Sequence, residues 1–104
     1  MGTVAWTPKA RDDLNAAARY IGRDSPRLAR SFAARIESSI DRLAIFPRSG
    51  RVVPEFGRPD IRELIVQSYR VVYRLQGDGV EILTIHHGAR LLGPADDPPS
   101  TEDI

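Results

Sequence analysis

Residues 62–90, RELIVQSYRVVYRLQGDGVEILTIHHGAR, constrain the fold more than any other stretch of the chain. They are rich in β-branched and aromatic residues and are broken by Gly77-Asp78, a dipeptide suited to a two-residue hairpin turn. A turn there sets the register: Leu75 faces Val80, Arg74 faces Glu81, Tyr73 faces Ile82, Val72 faces Leu83 and Arg70 faces Ile85. Side chains alternate along a strand, so the hairpin acquires dissimilar faces. Tyr69, Val71, Tyr73, Leu75, Val80, Ile82, Thr84 and His86 make one face, with the character of a core. Arg70, Val72, Arg74, Glu81, Leu83, Ile85 and His87 make the other, apolar at its centre and cationic at its edges. This second face is expected to stand open and to take a partner with acidic and aliphatic side chains.

The upstream half carries a pair of helix starts of the same design. Thr7-Pro8 and Ser25-Pro26 each place a hydroxyl at the N-cap and a proline at the first helical position. Ala10, Leu14, Ala17 and Ile21 give the first helix an apolar stripe, and Leu28, Phe32, Ile36, Ile40 and Leu43 give the second its own. Pro47 stops the second helix. The short link around Gly22 predicts an antiparallel helical hairpin. A strand at residues 3–6 precedes the helices, and 47–60, PRSGRVVPEFGRPD, reads as a loop. A turn at Gln67-Ser68 sets Leu64 and Val66 on the core face and brings Arg62 with them, unless a bulge intervenes. The order β-α-α-β-β-β defines an α+β fold, with an N-terminal helical hairpin packed on one face of a small antiparallel sheet.

A chain of 104 residues is expected to make a single domain. That domain is expected over 1–93, with 94–104 as an acidic, proline-rich, mobile tail. The tail holds Asp96, Asp97, Glu102 and Asp103 and no base, which leaves 15 bases against 10 acids, a net of +5, in residues 1–93. Fourteen of those bases are arginine, whose planar fork suits carboxylate and phosphate; Lys9 is the sole lysine. No apolar run approaches a membrane span, and the N-terminus lacks the pattern of a secretory signal, so a cytoplasmic location without membrane contact is expected. There is no cysteine, and His86 and His87 point to opposite faces of one strand, so no metal or cofactor is expected.

Several fragments carry a resemblance when taken in order: an opening strand followed by TPKARDDL, Tyr20-Ile21, FPRSGR at 46–51, RELIV at 62–66, SYRVVYRL at 68–75 and ILTIHHGAR at 82–90. With that set the chain resembles the RelE/ParE superfamily of bacterial type II toxins, and its ParE-like branch in particular. The resemblance implies a small plasmid-stabilising toxin encoded beside its antitoxin, bound in a hetero-oligomer by a ParD-like antitoxin whose C-terminal segment wraps it. It implies DNA gyrase as the target. The alternative is that of the RelE-like relatives, which cut mRNA on the ribosome.

RNA cleavage through the 2′-hydroxyl needs a base, an acid and cations around the phosphorane. Arg62, Arg70, Arg74 and His87 are the residues that would supply them. The lysine-rich central loop of the RelE type is missing, and no tyrosine follows the last strand, which leans toward a gyrase inhibitor without catalytic residues. On that reading Arg70, Val72, Arg74, Leu83 and Ile85 bind the antitoxin, while Arg51, Arg58, His87 and Arg90 meet the target. Arg74 also has Glu81 opposite it, and Arg70 has no obvious acidic cross-strand partner.

Overall fold

The computed structural model describes residues 2–90 and 92–99. The elements run β1 (Val4–Trp6), α1 (Pro8–Gly22), α2 (Pro26–Asp41), a 3-10 turn (Arg42–Ala44), β2 (Arg51–Val52), β3 (Ile61–Val66), β4 (Tyr69–Gln76), β5 (Gly79–His87) and a second 3-10 turn (Pro94–Asp96). Both helices begin where their caps predict. The Thr7 hydroxyl accepts from the Ala10 N–H at 3.1 Å and the Ser25 hydroxyl from Leu28 at 3.2 Å, satisfying donors that the first turn leaves free. Thr7 also donates 2.7 Å to the Ile82 carbonyl, so the same side chain ties α1 to β5.

The strands form one five-stranded sheet in the order β1-β5-β4-β3-β2. It is antiparallel except at one edge, where β1 lies parallel to β5 with Val4 beside Val80. The expected all-antiparallel sheet is thus a mixed one, because the helical hairpin works as a crossover that returns the chain alongside β1. A second addition is β2, cut from the predicted loop, where Arg51 and Val52 pair with Glu63 and Arg62. Gly50 precedes it and has no room for a Cβ, which would sit 2.5 Å from the Tyr73 hydroxyl.

The Gly77-Asp78 turn holds the predicted register as far as Tyr73 opposite Ile82, with Gly77 at φ 60°. Beyond that point a bulge shifts it by one residue. Val72 faces Thr84 rather than Leu83, and Arg70 faces His86 rather than Ile85. A bulge exchanges the faces of every later side chain. Ile85 therefore enters the helix-side core at 3% exposure, and His86 turns away from it to lie beside Arg70.

The helix side is a continuous apolar core of Ala10, Leu14, Phe32, Ile36, Ile40, Leu43, Val71, Tyr73, Val80, Ile82 and Ile85. The opposite side is not open. Val53, Ile61, Val72 and Leu92 form a smaller cluster there, with Phe56 and Leu83 packed against it. The loop from Val53 to Asp60 and the segment from Leu92 to Pro99 cover it. Residues 94–99 lie against the body, and the rest of the expected tail, 100–104, falls outside the described residues.

Candidate functional site

The face expected to be uncovered is closed by its own chain. Arg70 is 6% exposed, Val72 2% and Arg74 7%. The physical reason is a pair of acids, Glu63 and Glu55. Glu63 lies on β3 at the alternation position shared with Ile61 and is 1% exposed. The Arg70 Nε donates to its Oε1 at 2.6 Å, and the Arg70 terminal nitrogens donate to Glu55 at 2.7 and 2.9 Å. Arg51 reaches the other Glu63 oxygen at 2.6 Å. The result is a chain of alternating charge, Arg51, Glu63, Arg70, Glu55, whose members neutralise one another. Arg70 thus has acidic partners after all, one from the neighbouring strand and one from the loop.

Electrostatics follow this geometry. The Arg70 guanidinium holds the Glu55 carboxyl down at about 2 from its ordinary 4.5. Glu55, then Glu63, push Arg70 further up from an already high value. Arg58 is raised in the same direction by Asp60 and then Asp97. Burial raises the Tyr73 phenol, whose oxygen accepts from the Gly50 N–H at 2.9 Å and donates to the Pro47 carbonyl at 2.8 Å.

The remaining predicted residues are similarly engaged. Arg74 meets Glu81 at 3.3 Å, as the register predicts, and donates 2.6 Å to the Pro99 carbonyl. Arg62 spans loop carbonyls, at 3.0 Å to Pro59 and 3.1 Å to Gly50. Arg58 grips Asp60 and Asp97, and Arg90 binds Asp96 at 2.9 Å. His87 is exposed on the helix side of the sheet, its ring edge-on to Tyr69, with Nδ1 accepting from the Ala89 N–H. Arg62, Arg70, Arg74 and His87 therefore do not converge on a common point. The Nε2 atom of buried His86 has no hydrogen-bond partner among the described residues. No group of acids and histidines among the described residues is arranged to hold a metal ion.

The open surface lies elsewhere. A groove of about 700 Å³ runs between the end of α2 and β3, lined by Arg42, Phe46, Arg48, Leu64, Ile65 and Val66. Phe46 is 56% exposed and Ile65 55%, unusual for side chains of that size. Beside it, β2 pairs with β3 only at Arg62 and Glu63, so the outer edge from Leu64 to Val66 has no strand partner among the described residues. The exposed Phe46 and Ile65 were the missed signals. Ile45-Phe46 just before Pro47 lies past the apolar stripe of α2, and Ile65 is an aliphatic residue on the face shared with Glu63.

A helical hairpin over one face of a five-stranded sheet, with arginines locked into the other, defines a toxin domain of the RelE/ParE superfamily. The chain belongs to the family described as ParE toxin of type II toxin-antitoxin system, parDE, which matches residues 4–92. It is 39% identical over 92 residues to Toxin RelE2 of Caulobacter vibrioides, covering 88% of this chain and 100% of that one. To Toxin ParE3 of the same organism it is 37% identical over 89 residues, covering 85% and 88%. A solved structure of the chromosomal ParDE TA system from P. aeruginosa matches with a TM-score of 0.69 at 26% identity, covering 84% of this chain and 96% of that one. The family membership implies an antitoxin partner. No helix among the described residues is long and apolar enough to cross a membrane.

Proposed function

We propose that this chain is a cytoplasmic toxin that inhibits DNA gyrase by binding it, and that a ParD-like antitoxin neutralises it. The observation that carries this reading is the state of Arg70. Each of its three guanidinium nitrogens donates to Glu55 or Glu63 at 2.9 Å or less, so its charge is already neutralised by two carboxylates rather than offered to a pentavalent phosphate. Arg62 and Arg74 are held by carbonyls and Glu81, and His87 lies across the sheet from Arg70. A ribonuclease built on these residues would first have to dismantle the network that holds the loop. Inhibition by binding needs only a recognition surface. The groove beside β3, apolar with Arg42 and Arg48 among its walls, supplies one for an acidic, amphipathic protein segment.

The test is a supercoiling assay with purified gyrase, run beside an mRNA cleavage assay on programmed ribosomes. Loss of supercoiling with intact mRNA is the expected result, accompanied in cells by filamentation and DNA damage signalling. Codon-boundary cuts in mRNA with normal supercoiling would replace this reading by the ribosomal one.

A further inference from the structure

The segment Leu92 to Pro99 has features of a bound peptide more than of a domain's last turn. Its anchors are polar and lie in its second half. Asp96 takes Arg90 at 2.9 Å, Asp97 takes Arg58 at 2.8 Å, and the Pro98 and Pro99 carbonyls accept from Arg58 and Arg74. Its Asp96 carboxyl is pulled below the usual range by the Gly93 N–H and then by Arg90. Only Leu92 is a large side chain buried in the cluster beneath.

Beneath the segment the fit is poor. A half-open pocket of about 220 Å³ remains beside the segment, walled by Phe56, Val72 and Leu83 with the polar Lys9 and Thr84 on the body's side and by Leu92, Ala95 and Pro98 of the segment. That volume holds several methyl groups. Ala95 and Pro98 do not fill it, so the apolar centre of the face is covered without being closely packed.

We propose that residues 94–99 form a displaceable strap, occupying a site that takes an acidic segment of the antitoxin bearing a larger aliphatic side chain where the strap has Ala95. The strap's own contacts show the chemistry of the site. Carboxylates and carbonyls bind Arg58, Arg74 and Arg90 at the rim, and an aliphatic group enters over Val72 and Leu83. These include Arg74, Val72 and Leu83, which the sequence placed in the antitoxin contact; Arg70 and Ile85 stay inside the fold. A tethered segment acts on its site at an effective concentration of about millimolar. It therefore raises the threshold for weak acidic competitors and yields to a segment that fills the cavity. The identity of the partner rests on the toxin-antitoxin assignment; the strap's displacement does not.

The experiment uses the full chain and a labelled synthetic peptide, GPADDPPSTEDI, the chain's own residues 93–104, together with its Ala95→Leu version. The full-length Asp96→Asn/Asp97→Asn variant, with a strap deprived of its charged anchors, should bind the Leu peptide at least about tenfold more tightly than the intact chain does. The unmodified peptide should bind more weakly than the Leu peptide. Full-length Ala95→Leu should resist both peptides and melt higher. Adding Arg74→Gln to the double variant should abolish the gain, with far-UV dichroism confirming that each variant is folded. Equal binding to intact and double-variant chains, or no binding to either, overturns the strap. Self-association of the double variant that blocks the peptide would also overturn it, in favour of a second copy as the occupant. A chain that leaves gyrase untouched but shows this pattern keeps the strap and loses only its target.

Discussion

On the helix side of the sheet, Ile36, Ile40, Leu43 and Ile82 are completely buried within one apolar cluster. On the opposite side, Glu63, Arg70, Arg74 and His86 are almost as hidden, yet three of the four are held by ionic hydrogen bonds. The first side gains from area removed from water and is indifferent to which aliphatic atoms touch. The second gains only if particular partners are in place, because a desolvated charge without its counter-ion is costly. One side therefore tolerates conservative exchange and the other does not. The second side uses its paired charges to hold the loop that carries Glu55 against the sheet.

The sharpest test of this contrast compares a deletion on each side. Glu63→Ala removes the acceptor of the buried Arg70 Nε, leaving Arg70 to Glu55 alone, and should cost about 3 kcal/mol in urea unfolding. Ile36→Ala, a pure loss of packing, should cost about 2–5 kcal/mol. The discriminating control is Glu63→Gln against Ile36→Val. The contrast predicts that the isosteric Gln keeps most of the penalty, whereas Val costs only about 0.5–1.5 kcal/mol.

Next in size is Tyr73→Phe. Tyr73 belongs to the apolar side, but its hydroxyl joins Gly50 and Pro47 and so fixes the loop that leads to β2. Losing that oxygen should cost about 1–3 kcal/mol and should speed hydrogen exchange at Gly50 while leaving the helices unchanged.

A pH titration separates the faces further. Glu55 has a folded-state pKa of about 2 against an ordinary 4.5, so the unfolded chain takes up its proton first as the solution is acidified. The stability it contributes is complete above about 4.5 and fades as the pH falls toward 2. Glu55→Gln should be less stable than the parent at neutral pH, and the gap should close across that window. A gap that stays constant down to pH 2 would mean that the ionised state of Glu55 adds nothing to stability through Arg70.

The smallest effect is expected at the surface. Arg11 and Glu37 lie 3.8 Å apart, both about half exposed. Glu37→Gln should change stability by less than about 1 kcal/mol and less still in salt.

The layout of the helix side was legible because its signals are local. Thr7-Pro8 and Ser25-Pro26 mark where helices begin, and the stripe through Phe32, Ile36 and Ile40 marks what they bury. The second side was not legible because its determinants are distant in the chain. Arg70 depends on Glu63, seven residues away through a turn, and on Glu55, fifteen away in a loop. The bulge at Leu83 has no composition of its own, yet it decides whether Ile85 or His86 faces the core. The strand edge β2 is too short to show a period. One clue was available: a glutamate between Ile61 and Ile65 on one face of a strand calls for a cation across from it, and the neighbouring strand offers Arg70.

The sheet ends differently at its two margins. Beyond the three residues of β1, the outer groups of β5 are already taken: Thr7 donates to the Ile82 and Leu83 carbonyls, and Asp13 accepts from the Ile85 N–H and the Thr84 hydroxyl. The far margin at Leu64 to Val66 has no such plug. The unplugged length of β3 is therefore a stretch where a guest strand, or a second copy of the chain, can add main-chain hydrogen bonds to this sheet.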